Sequence, residues 1–263
     1  MMPTDQYPVM QKVFFTGIAI LLSMCALAQK QEPWDHIGTE DVVSRDSITQ
    51  QGYTLIFISK VPDFSQEVKE RMIRTFFRVY PVQAMQYNPA TRKKVFFVID
   101  PAYKGVAATS GGIVRYSPVW LAQHPGDIDV VTHEVMHIVQ AYPPGSGPGW
   151  VTEGIADYVR YKLGVDNAGA GWSLPAFSPG QRYTDAYRVT ARFLEWIEQR
   201  VHKGMVKELD AAMRSRSYED ALWKKLTGKS VDELWEDYAA APALSGGMEA
   251  AQDKRQPGNK HGE

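Results

Sequence analysis

The chain has 263 residues, 44% hydrophobic and 22% charged, which suits one soluble core or two lobes flanking a cleft. Its 29 basic and 30 acidic side chains leave a net charge of −1, so there is no basic footprint and a nucleic-acid partner is excluded as a working reading. A single cysteine, Cys25, excludes a disulfide framework.

At the N-terminus, Lys12 precedes the apolar run VFFTGIAILLSMCALA, and Ala26-Leu27-Ala28 carries the small-x-small pattern of a signal-peptidase site. The run is short for a spanning helix. Residues 1–28 are therefore expected to be a signal peptide cleaved after Ala28, with Met10 as an alternative start. A secreted or periplasmic, cysteine-free protein without a stable membrane span would remain. An N-terminal membrane anchor and a lipid-bearing Cys25 are the competing readings, the second weakened by Met24 before the cysteine.

Residues 29–50 are polar and read as an extended lead-in to a domain at 51–242. Tyr53–Ser59 is β-branched and aromatic, a buried strand. Ser65 can cap a helix running to about Tyr80, where Pro81 interrupts it. Residues 94–100 form a second strand, and GGIVRYSPVWL from Gly111 a third, broken at Pro118. Asp127 or Asp129 can cap a helix reaching about Tyr142. Pro148 opens the next helix, which runs to Gly164. Residues 165–182 read as a loop, followed by a long helix over 184–202 and short ones at 205–214, 218–226 and 231–240. Ser230 and Glu233 form a capping-box pattern for the last, and 243–263 reads as a disordered tail. The fold class is α+β: a small N-terminal sheet, a central helix packed on it, and a helical C-terminal lobe.

The central helix carries His133, Glu134 and His137 in the pattern H-E-x-x-H. One turn apart on one face, the two imidazoles can grip one Zn2+ ion, leaving Glu134 to act as general base on a metal-bound water. A catalytic zinc wants a third protein ligand, and Glu153 at the start of an antiparallel helix is the best candidate; a glutamate that merely complements the helix dipole is the alternative. Gly154 leaves room for close packing, and Asp157, one turn on, can accept a ligating histidine's ring N–H. For the oxyanion, Tyr187 and Tyr183 come first, with Arg188 and Arg192 behind them, although on pattern alone the stripe of Tyr187 favours a core tyrosine. His124, a lone loop histidine, is set aside. The reaction expected is hydrolysis of peptide bonds in a peptide or protein substrate. A secreted binding or defence protein with a structural zinc site and a zinc amidase on cell-wall peptides are the other readings.

The segments HEVMHIVQAY, GPGWVTEGIADYVR, AYRVTARFLEW and GKSVDELWEDY together resemble the plant basic secretory proteins and their bacterial relatives, a family assigned to the zinc metallopeptidases largely on the zinc motif. The resemblance runs from about Tyr53 to Tyr238 and implies a secreted protein with a zincin-like, specifically gluzincin-like, fold. By similarity to that clan it implies Glu153 as ligand, Asp157 behind a zinc histidine, and Tyr187 as oxyanion donor. This chain is not basic, so no role that needs a cationic surface is carried over.

Overall fold

The computed structural model describes Trp34 and residues 36–39 and 41–245; the expected signal peptide and residues 246–263 of the tail lie outside them. A five-stranded sheet is built from β1 (Ser44–Gln50), β2 (Tyr53–Ser59), β3 (Lys94–Ile99), β4 (Ala107–Ser110) and β5 (Ile113–Tyr116), in the order β1-β2-β3-β5-β4. β2, β3 and β5 run parallel, and the two outer strands pair antiparallel to their neighbours. The fold is α+β, as the sequence implies.

Three local differences have physical reasons. β1 falls inside the expected lead-in. It has no fully buried residue, so its polar sequence carries no strand signature; its seven backbone partners along β2 hold it instead. A polar edge strand of this kind also discourages pairing with other chains. It turns into β2 through Gln51 and Gly52, both at positive φ (52° and 78°), the geometry of a two-residue hairpin turn.

The second difference is at Pro81. Ser65 caps the first helix as expected, but α1 (Gln66–Tyr87) continues through the proline. Proline lacks the N–H that would bond the carbonyl four residues earlier. Here Nε2 of Gln51, from the hairpin turn, donates to that Phe77 carbonyl at 3.1 Å.

The third concerns the expected strand from Gly111. Gly111 and Gly112, at φ 60° and 98°, are the turn between β4 and β5. Pro118 begins a short helix, α2 (Pro118–Gln123), rather than breaking a strand, with Ser117 Oγ accepting from the Trp120 N–H.

The helices that follow are α3 (Val130–Gln140), α4 (Gly149–Leu163), α5 (Tyr187–Arg200) after a single 3-10 turn at Tyr183–Asp185, α6 (Met205–Arg214), α7 (Ala221–Thr227) and α8 (Val231–Ala240). α3 ends at Gln140, two residues short of Tyr142, with Ala141 capping it in the left-handed region. The capping box of Ser230 and Glu233 forms as expected. One sheet face, with Leu55, Phe57, Phe97, Val114 and Tyr116, joins α1, α3, α4 and α5 in a continuous core; Ile56, Ile58, Val98 and Ile113 on the other face pack with Ile37 and Val42. Among the described residues no helix is long and apolar enough to cross a membrane.

Candidate metal centre

α3 is positioned by burial. Val131, Val135 and Val139 are fully enclosed, which turns His133 and His137 together towards a cleft of about 1340 Å³. Glu153 reaches the same point from the first turn of α4. Its Oε2 lies 3.2 Å from His133 Nε2 and 3.5 Å from His137 Nε2, and the two Nε2 atoms are 3.2 Å apart. A tetrahedral ion with ligands at about 2.0–2.1 Å separates each ligand pair by about 3.3–3.4 Å. The three atoms thus form one face of a zinc-sized tetrahedron, with the donor set of a three-ligand site. Among the described residues this is the one group of three His, Cys, Asp or Glu side chains arranged to hold a metal ion.

Both rings are oriented from behind. His133 Nδ1 donates to Asp157 Oδ1 at 2.6 Å, as the sequence reading anticipates for one of the histidines. His137 Nδ1 donates to Gln140 Oε1 at 2.7 Å, and Gln140 Nε2 donates to the Thr152 carbonyl at 2.9 Å, which fixes the amide's direction. With each Nδ1 engaged, both Nε2 atoms face Glu153. Gln140 is absent from the sequence reading; its place three residues after His137, on the same helix face, is the signal that could have found it.

The electrostatics favour a positive charge at the centre. Burial alone would lower the His133 pKa, but its bonds to Asp157 and Glu153 push it up to about 10. Burial would raise the Glu153 carboxyl, and hydrogen bonds from His133 and His137 hold it well below the usual carboxylate range. Glu134 adds a third carboxyl group on the same side.

Glu134 is buried beside the triangle without joining it. Thr109 on β4 places its hydroxyl 2.7 Å from Glu134 Oε2 and 3.0 Å from the Glu134 carbonyl. Thr109 is not legible from sequence because β4, which carries it, precedes the strand expected from Gly111 and gives no strand signal of its own.

The other wall comes from α5. Tyr187 stacks loosely on His133, with ring centroids 6.2 Å apart and planes 21° apart, and it is 55% exposed. Its phenol pKa is raised, chiefly by the charge of Glu153 and then by burial. Ala186 and Tyr187 both have positive φ (63° and 48°), an uncommon conformation for residues with a Cβ. Gly154 does permit a close approach, though of a helix rather than of the metal: a Cβ there would lie 2.3 Å from Thr190 Cγ2 of α5. Arg188 lines the cleft, whereas Arg192 donates to the Pro242 carbonyl elsewhere. Tyr183 is not brought to the cleft: its hydroxyl donates to Asp232 at 2.7 Å within an aromatic cluster with Trp150 and Trp235. His124, set aside earlier, lines the cleft and stacks on Trp120 at 3.8 Å.

No curated protein matches the chain. Among solved structures, an M1 zinc metallopeptidase mutant from Deinococcus radiodurans bound to a Tyr-Ser-Ala substrate is 16% identical, with a TM-score of 0.48, covering 76% of this chain and 52% of that one. An aminopeptidase N family protein from Idiomarina loihiensis is 11% identical, with a TM-score of 0.47, covering 74% and 46%. The chain spans about half the length of those proteins. Across residues 44–238, from the edge strand to the last helix, the sequence matches the family described as "Peptidase of plants and bacteria", and the chain belongs to that family.

Proposed function

We propose that this chain is an exported, zinc-dependent peptidase. The observation that carries the reading is the triangle of His133, His137 and Glu153, whose 3.2–3.5 Å sides suit zinc, with Glu134 buried next to it but outside it. A purely structural zinc usually takes four protein ligands and has no use for such a carboxylate. Zinc held there supplies a Lewis acid that polarises a carbonyl and makes water more acidic.

The chain's own groups account for the rest. Glu134 takes a proton from the attacking water and returns it to the departing amine. Thr109 holds one oxygen of that carboxylate, leaving the other to face the cleft. Asp157 and Gln140 keep both imidazoles in the tautomer that ligates. Tyr187, on the far wall, donates its phenol hydrogen to the developing oxyanion. Export rests on the apolar leader ending at Ala28.

The decisive experiment compares native protein with Glu134→Gln, measuring bound zinc and cleavage of a mixed peptide library. Zinc content should stay the same while turnover falls by about 10²–10⁴. Hydrolysis persisting in zinc-loaded Glu134→Gln would overturn the reading.

A further inference from the structure

Away from the triangle, the cleft has a second constructed wall. Trp120 Nε1 donates to Asp127 Oδ2 at 3.0 Å, and Arg160 donates to Asp127 Oδ1 at 2.6 Å. The Arg160 guanidinium in turn lies 4.6 Å from the centroid of the Trp172 ring. All four residues line the cleft. The indole N–H of Trp120 and both oxygens of Asp127 are engaged inside this wall. The two half-buried indoles remain, each with a partner on its ring: His124 on Trp120, Arg160 on Trp172.

Beside the indoles the chain offers almost no side chain. Gly126 and residues 169–171 line the same stretch, contributing at most the methyl of Ala170. Their loops meet backbone to backbone: a Cβ on Gly126 would lie 2.8 Å from the Gly169 carbonyl oxygen. This place is held firmly. Asp129, the residue before α3, accepts from the N–H groups of Val165 and Asp166 at 2.8 and 2.6 Å. Arg71 bridges the two loops, donating to the Pro125 carbonyl and to Asp166. The segment after α4, patternless in sequence, is thus tied at its start to the helix that carries both histidines.

We propose that this recess is a specificity subsite that takes a large aromatic side chain of the peptide substrate; the assignment rests on the peptidase reading above. Two half-buried indoles, one with its N–H already bonded to Asp127, offer flat apolar surface, and aromatic pairs gain stability beyond their buried area. A cationic side chain finds no free carboxylate here, because Asp127 is neutralised by Arg160. An acidic one meets a cleft already holding Glu134, Glu153 and Asp157.

The test uses matched peptides in which one position at a time is Phe, Leu or Ala. One position should show a Phe/Ala ratio in kcat/KM of about tenfold or more, with Leu between them. That ratio should fall towards one in Ala170→Leu, which fills the recess, and in Trp172→Ala, which removes a wall, in protein whose melting temperature shows it folded. A ratio near one at every position, or one unchanged in both variants, overturns the subsite. Binding of the same peptides to zinc-loaded Glu134→Gln protein, measured by calorimetry, separates the two readings. Absence of any cleavage by native protein defeats the peptidase reading, whereas equal binding of Phe and Ala peptides defeats the subsite.

Discussion

The two walls of the metal centre are built on opposite principles. On one side α3 and α4 bring the three donors together from regular helix, with His133 buried and its ring backed by Asp157, and with His137 backed by Gln140, whose amide is itself held by the Thr152 carbonyl. On the other, Tyr187 stands half in solvent at the first residue of α5, where the backbone has just passed through two positive φ angles. A ligand triangle needs fixed distances, which burial and hydrogen bonds supply. A group that meets the substrate only as charge develops needs access. The contrast teaches that fixed geometry in this site is local to the donor triangle.

The contrast can be broken from either side. The largest effect is expected on the open wall: Tyr187→Phe should lower kcat by about 10²–10³ with zinc content unchanged. A loss under tenfold would leave that wall outside the chemistry. On the closed wall, Asp157→Asn should weaken zinc binding by about 10–100-fold, measured by competition with a chelator. Gln140→Leu should cost less, because the amide it removes orients His137 without lending it charge. A greater loss in the glutamine variant would show that orientation outweighs charge. Gly154→Ala wedges the walls apart: it should destabilise by about 1–3 kcal/mol and lower kcat more than zinc affinity, since it is α5 that must move.

The closed wall should also show itself in a pH dependence of the zinc-free protein. The folded-state pKa of His133, about 10, lies above its ordinary 6.5. Its proton therefore stabilises the folded state, fully below about 6.5 and progressively less as pH rises through about 10. Melting temperature of the zinc-free form should decline across that window, and Asp157→Asn should flatten the decline. A flat profile in the native protein would contradict the charge assigned to the closed wall.

The closed wall was the legible one. Two histidines one turn apart, a glutamate opening the next helix and an aspartate four residues later depend on helical periodicity, which a sequence displays directly. β2 and α8 were equally readable, one from its β-branched run and the other from its capping box. What stayed hidden depends on pairing between distant residues. β1 is a strand because β2 lies beside it, Thr109 reaches Glu134 because an unforeseen edge strand carries it there, and Tyr183 is drawn off by Asp232, 49 positions away. None of these leaves a periodic trace. The fold class and the donor set were therefore visible, while the supports of Glu134 and His137 were not.

The continuation of α1 through Pro81 ties two positions into one inheritance. Gln51 supplies from outside the helix the donor that proline withholds, so with proline at 81 the Phe77 carbonyl depends on the glutamine. Relatives with an ordinary residue at 81 regain the backbone amide and are released from any requirement at 51. Relatives that keep the proline and lose the glutamine leave this partly buried helix carbonyl without that donor. Across this family the two sites should therefore drift together, a covariation between a hairpin tip and a helix interior that neither would betray on its own.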